Sequence, residues 1–550
     1  MSDRPLIVQS DRTMLLDMHS SSCAQCREEI TAFSELVKSP EHLHTYRLSA
    51  LSIWNACSQS FTAQMIISVL EKYSRFPVPE PVSYFISDTC SRYGIVTFTP
   101  CDDRHFYLNV SNDIYRKQIL SLTPVKKLVL DMDEDELRFE SKDRGTLKVI
   151  LIDNGFPVED LIPLKKGEPV DISLRTETLS GKPFSLRGYQ EESFSSFYAS
   201  GRPGGGYGVI VLPCGSGKTV VGMRAMAELR TSTLILAPNV AAVHQWMREL
   251  EDKTTLTSAD IGEFSGEKKD IRKITVCTYS MLIYRDSTDD EFHNFEKILA
   301  HDWGLVIYDE VHMLPAPVFR LSASLQAVFR LGLTATLIRE DGREKEVFSL
   351  VGPKRYDVPW SELERQGFIA SAHCHEIRVS LDPDDELEYA LAPLAKKNAI
   401  AARNRKKLDV VQSLLEKHQG QQILIIGQYL DQLKDIQKRF SFPLITGSMA
   451  NAKRDELYQA FRDGKISVLI VSKVANFAID LPDASVAIQV SGTFGSRQEE
   501  AQRLGRILRP KQIDSNFYTI VSKHTREEDF SLNRQKFLVE QGYSYEVMDL

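Results

Sequence analysis

Nowhere do the 550 residues contain the roughly 18 continuous apolar positions that a membrane span needs, so no membrane partner is expected. The first 22 residues have no apolar h-region, which argues against a secretory signal and for a cytoplasmic chain. No low-complexity tract is present. Basic charge is not in excess: 67 Lys and Arg stand against 75 Asp and Glu, a net charge of −8. A bulk basic footprint for nucleic acid is therefore absent. Any nucleic-acid binding would have to use a locally basic groove on an acidic protein. Cysteine is sparse, with eight scattered over the chain, and reduced thiols are the default reading. Cys23 and Cys26 have metal-ligand spacing, but a zinc site needs four ligands and no second CxxC follows. His42 and His44 lie downstream in an H-x-H arrangement that does not match finger spacing, so the pair reads as incidental.

What is present is an ordinary folded composition, with 42% apolar and 26% charged residues. That excludes a disordered chain, a fibre and a small disulfide scaffold. At about 150 residues per domain, the length suggests roughly three to four domains. Residues 1–120 carry no chemical motif and read as an accessory interaction module. Helical apolar spacing is expected over Thr31–Val37 and Thr62–Tyr73. Residues 121–180 read as a small α/β domain, with short strands at Lys126–Asp131 and Thr146–Ile152.

From Val209 the pattern becomes α/β. Val209–Pro213, Leu234–Ala237, Ile274–Thr278 and Leu305–Tyr308 are short, nearly all-apolar runs separated mostly by amphipathic helices. Ile423–Ile426, Val468–Val471, Val486–Val490 and Phe517–Val521 repeat the style. Continuous apolar strands alternating with helices indicate parallel sheets covered on both faces. Two α/β domains are expected, over 181–355 and 356–550, with Leu381–Lys407 as an exposed helical connector.

Three segments carry chemistry. Leu212-Pro213-Cys214-Gly215-Ser216-Gly217-Lys218-Thr219 lies between a strand and a helix, the setting a phosphate-binding loop requires. Gly215 and Gly217 let backbone amides wrap a phosphate. Lys218 would reach the β- and γ-phosphates, and Thr219 would ligate Mg²⁺. Asp309-Glu310-Val311-His312 ends the strand Leu305–Tyr308, where carboxylates face the ligand crevice of an open sheet. Asp309 would hold the Mg²⁺ and Glu310 would orient or deprotonate the attacking water. In the segment beginning at Gln502, Arg503, Arg506 and Arg509 recur every three residues and share one helical face. Arg506 and Arg509 read as arginine fingers on a triphosphate.

The order of these segments resembles that of superfamily-two helicases. Leu186–Gln190, with Arg187 and Gln190, resembles their adenine-reading Q-motif. Leu212–Thr219, with Pro213, Cys214 and Ser216, resembles motif I, Leu236–Val240 motif Ia and Thr278–Ser280 motif Ic. Asp309–His312 resembles motif II, Thr334–Thr336 motif III and Gln428–Leu430 motif IV. Val471–Asp480 resembles motif V, and Gln502–Arg509 motif VI. Gly262–Lys268, the Arg339-Glu340-Asp341 element and Phe537–Val547 are similar to segments of the XPB helicase family, in particular its bacterial branch.

That resemblance implies two tandem RecA-like domains preceded by smaller N-terminal ones, the second of them damage-recognition-like and the connector near 381–407 thumb-like. It implies ATP and Mg²⁺ as cofactors, with Gln502 also at the nucleotide. DNA, as a duplex, a fork or a 3′-tailed substrate, is the implied partner. The implied reaction is ATP-driven 3′ to 5′ translocation and unwinding, in DNA repair. Arg339, Glu340 and Asp341 would help open the duplex. Asn239–Trp246, Thr278–Ser280 and Lys473–Phe477 would face DNA, although Trp246 itself reads more readily as a core aromatic than as a stacking platform. Contact there would be mainly with phosphates. Two alternatives stand: a duplex translocase without strand separation, and a scaffold that binds a nuclease or repair partner through residues 1–120.

Overall fold

The computed structural model describes residues 4–38, 42–102, 104–132, 136–201, 205–213, 215–285, 292–314, 318, 321, 324–335, 347, 350–358, 360–368, 372–472, 484–491, 515–540 and 545–550. Residues 1–211 and 217–357 make one compact unit, and 212–216 with 358–550 a second.

The first unit is organised around a seven-stranded parallel sheet. Its strand order is Ile261–Phe264, Ile274–Thr278, Thr233–Ala237, Leu305–Asp309, Phe329–Thr334, Tyr207–Val211 and Lys354–Asp357. Central strands such as Tyr207–Val211 and Ile274–Thr278 are buried at every position, because helices cover both faces. Parallel pairing puts the C-terminal ends of Ile274–Thr278, Thr233–Ala237 and Leu305–Asp309 in one row. That row is where the carboxylates of the third strand emerge.

Two smaller sheets precede it. Leu6–Val8, Thr13–Asp17, Leu43–Arg47 and Glu35–Lys38 form a four-stranded antiparallel sheet in that order. Leu6, Met14, Leu16, Ile30, Phe33, Ile53, Ile66 and Leu70 fill its core. Thr62–Tyr73 is helical as expected, from the N-cap Thr62, whose side chain accepts from the Met65 amide, to Tyr73. Thr31–Val37 is not. Helix Cys23–Thr31 ends there and Glu35–Lys38 is a strand. Phe33 and Leu36 are both buried three positions apart, but Leu36 lies opposite Tyr46 across the sheet, and that pairing overrides helical spacing.

The second small sheet joins Asp131–Met132, Glu136–Glu140, His105–Val110, Val96–Pro100 and Val158–Asp160. It runs through position 120, where the sequence suggested a boundary. Both strands expected here are corrected. Pro124 sits in the first turn of a helix, Thr123–Leu128, and the strand that follows it is only Asp131–Met132. Thr146–Ile152 lies inside helix Arg144–Asp153, where Leu147 and Leu151 bury one face. Its β-branched residues mimic a strand. The helix is pinned instead by the buried Arg144, whose Nη2 lies 2.7 Å from Oδ1 of Asp160.

The N-terminal module is tied to the parallel sheet through the edge strand Lys354–Asp357. Lys354 Nζ donates to the Val37 carbonyl at 3.1 Å, and the Arg355 guanidinium donates to the Thr31 carbonyl.

The second unit is also a seven-stranded parallel sheet. The order is Leu444–Ile445, Val468–Ser472, Ile423–Gly427, Val486–Gln489, Ser515–Ser522, Ala372–Val379 and Tyr545–Asp549. Leu381–Lys407 does not connect two sheets, because Ala372–Val379 already belongs to the second one. It forms two helices, Pro383–Leu391 and Leu394–Ala402, and the turn into a third. Among the described residues no helix is long and apolar enough to cross a membrane.

Candidate active site

Strand Tyr207–Val211 leads through Leu212 and Pro213 into the expected phosphate loop, and helix Lys218–Leu229 follows it. Gly215 and Gly217 adopt φ of 79° and 82°, in the left-handed region that a side chain would strain. Ser216 Oγ donates to the Pro213 carbonyl at 2.6 Å and closes the turn. A Cβ on Gly217 would fall 2.7 Å from Nε2 of Gln190, so the loop and the Q-motif glutamine are in direct contact. Gln190 is buried, and its Oε1 accepts from the Arg187 amide at 3.0 Å, capping helix Gly188–Tyr198. The Arg187 guanidinium turns onto the Tyr189 hydroxyl at 3.1 Å. Thr219 occupies the first turn of helix Lys218–Leu229.

The acidic pair meets this loop. Lys218 Nζ lies 2.8 Å from Glu310 Oε1, with both side chains largely buried. Glu310 has φ of 48°, a costly conformation for a non-glycine residue, at the point where the strand turns into its loop. Its Oε2 accepts no hydrogen bond, although His312 Nδ1 lies 3.4 Å away. His312 Nδ1 is also 2.7 Å from the hydroxyl of Thr334, at the end of the neighbouring strand. Asp309 Oδ2 accepts from the Trp246 indole at 2.9 Å, and the Asp309 carbonyl accepts from the Tyr279 hydroxyl at 2.7 Å.

Burial pushes the Asp309 carboxyl up from its ordinary 3.8 to about 6, with the Glu310 charge acting in the same direction and Lys218 and Trp246 opposing it. Burial acts on Glu310 in the same sense, but the Lys218 ammonium, then His312, outweigh it and hold that carboxyl below the usual range. Two adjacent carboxyls thus differ: one is easily protonated and one is held ionised. The left-handed glycines and the lysine fit a nucleoside triphosphate, the Asp309 carboxylate beside them fits its metal ion, and the buried Glu310 oxygen without a donor fits a water molecule.

A family model described as ERCC3/RAD25/XPB C-terminal helicase matches residues 363–550. One described as type III restriction enzyme, res subunit, matches 183–339, and one described as helicase conserved C-terminal domain matches 6–132. The DNA 3′-5′ helicase XPB of Mycobacterium tuberculosis is 47% identical, the alignment covering 100% of this chain and 98% of that protein. Its namesake in Kineococcus radiotolerans is 45% identical, over 100% and 97%. The chain belongs to the XPB helicase family. The general transcription and DNA repair factor IIH helicase/translocase subunit of Saccharomyces cerevisiae is 30% identical over 100% of this chain and 72% of that one. A solved HsdR-subunit fragment of a type I restriction enzyme from Vibrio vulnificus shares 17% identity with a TM-score of 0.50, over 67% of this chain and 70% of that one. That likeness shows the fold alone.

Within this XPB-family chain, the structure brings Arg187, Gln190, Gly217, Lys218, Asp309 and Glu310 into one contiguous site. Cys214, Arg339, Glu340, Asp341, Lys473–Phe477, Gln502, Arg506 and Arg509 lie outside the described residues. Trp246 is 1% exposed, which agrees with its reading as a core aromatic rather than a stacking platform. His244 on the same helix lies 3.4 Å from Glu263 and 3.6 Å from Glu267. Cys26 is buried in the N-terminal core, and burial pushes its thiol up to about 12.

Sequence reasoning missed Trp246 and Tyr279 as donors to Asp309, and the contact of His312 with Thr334. Only the row of parallel strand ends could have suggested them, because each pair joins segments far apart in the chain.

Proposed function

We propose that this chain hydrolyses ATP to drive 3′ to 5′ movement along DNA and to separate its strands, acting in DNA repair. The observation that carries the reading is the 2.8 Å pairing of Lys218 with Glu310 beside the glycine loop and Asp309. Gln190 and Arg187 would bind the base end of the nucleotide. The loop Pro213–Gly217 would wrap its phosphates, and Lys218 would leave Glu310 for them. Glu310, held ionised until then, would orient and deprotonate the attacking water. Thr219 and Asp309 would hold a Mg²⁺ ion, which supplies positive charge to the phosphate oxygens. Gln502, Arg506 and Arg509 would stabilise the charge that develops on the transferred phosphoryl group. Arg339, Glu340 and Asp341 belong to the proposal as the element that opens the duplex. Residues 1–120 belong to it as the module that binds a nuclease or another repair protein.

The test compares separation of a duplex with a 3′ single-stranded tail and one with a 5′ tail. The wild-type chain is expected to open only the first, and Glu310→Gln neither. Equal opening of both tails would refute the polarity. ATP turnover stimulated by DNA without opening of either would favour the translocase reading, which the helicase/translocase name of the yeast relative also carries.

A further inference from the structure

Two segments expected to face DNA, Asn239–Trp246 and Thr278–Ser280, each send one buried aromatic residue back to the same carboxylate-bearing residue. Trp246 lies in the middle of helix Val240–Lys253, whose N-terminus is capped by Asn239. Its ring is wedged against helix Lys218–Leu229, so closely that a Cβ on Gly222 would come 2.6 Å from the indole Cη2. Its N–H donates to Asp309 Oδ2 at 2.9 Å. Tyr279 is 3% exposed, follows strand Ile274–Thr278 and donates its hydroxyl hydrogen to the Asp309 carbonyl at 2.7 Å. The three strands concerned are neighbours in the sheet, in the order Ile274–Thr278, Thr233–Ala237, Leu305–Asp309. Their aligned ends make the convergence rigid.

We infer that Trp246 and Tyr279 are positioning residues that set Asp309 for the metal ion and pass the DNA-bound state of their segments to it. The indole N–H fixes the carboxylate rotamer, and the phenol fixes the backbone of the same residue. A shift of either segment therefore moves a metal-holding oxygen. Both rings fill their sites tightly, so a small displacement is transmitted rather than absorbed. The inference rests on the ATP-driven DNA motor reading above.

The experiment uses the full chain with Trp246→Phe and Tyr279→Phe, which keep most of the ring packing and remove only the donors. Three quantities are read: the melting temperature, the ratio of ADP affinities in Mg²⁺ and in EDTA without DNA, and the ratio of kcat with and without DNA. Melting is expected to stay cooperative. The two ratios are expected to fall by about three- to tenfold in Tyr279→Phe, whose lost bond is to a neutral carbonyl, and by about tenfold or more in Trp246→Phe, whose lost bond is to a carboxylate. Trp246→His, which keeps a ring N–H, is expected to recover part of the Mg²⁺ dependence. Ratios within twofold of wild type in both Phe variants would overturn the inference, as would equal losses in the Phe and His variants. A wild-type chain whose turnover ignores DNA would refute the motor reading instead. The Mg²⁺-dependent ADP affinity would still decide the positioning role.

Discussion

Asp309→Asn is expected to stabilise the protein while abolishing its ATP turnover. Burial and the adjacent Glu310 charge raise the Asp309 carboxyl from 3.8 to about 6. The folded chain thus holds that proton more tightly than the unfolded chain does. Stability must fall as pH rises from about 4 to about 6, and the full penalty persists above that window. At ~1.4 kcal/mol per tenfold in proton affinity, the ionised side chain costs about 3 kcal/mol near neutral pH. Asparagine removes the charge, keeps an oxygen to accept from the Trp246 indole, and relieves the repulsion of Glu310. Urea unfolding of both proteins at pH 8 and pH 4.5 is the assay. The variant is expected to be more stable by up to about 3 kcal/mol at pH 8, with most of the gap gone at pH 4.5. A variant no more stable than wild type at pH 8, or a gap that ignores pH, would refute the reasoning. The cost is borne by the residue that function needs, a common stability–activity trade-off.

Other outcomes follow from the same geometry. Lys218→Ala should reduce ATP turnover to background and leave a cooperative melting transition, lowered by about 1–3 kcal/mol because buried Glu310 loses its cation. Gly217→Ala should weaken nucleotide binding in a titration and cost about 1–3 kcal/mol, since its Cβ meets Gln190 at a positive φ. Adding Gln190→Ala should return part of that stability, and strict additivity in the double variant would contradict the contact. Arg506→Ala should lower kcat more than it raises KM in steady-state turnover, whereas a raised KM with kcat intact would contradict a finger role.

The phosphate loop and the acidic pair were legible because they sit at the ends of strands buried on both faces, which read as unbroken apolar runs. Strand Ala372–Val379 was not, since His373, His375, Glu376 and Arg378 interrupt it. Fully buried Glu376 is tolerated there because the Tyr545 hydroxyl and Arg378 satisfy it. Strand Lys354–Asp357 hid for a related reason: its lysine and arginine point to backbone carbonyls of the N-terminal module rather than to solvent. Helix Arg144–Asp153 was misread because Leu147 and Leu151 fit both periods, and only the distant Asp160 decides between them. The donors to Asp309 were illegible in the local pattern, because sheet order brings Trp246 and Tyr279 to it.

The measurement closest to the central claim is steady-state ATP turnover by the intact chain, with and without DNA, at matched Mg²⁺ and salt. Turnover that rises several-fold with DNA in the wild type and vanishes in Lys218→Ala and Glu310→Gln is the expected result. Turnover absent under both conditions, or persisting in a folded Lys218→Ala protein, would contradict it.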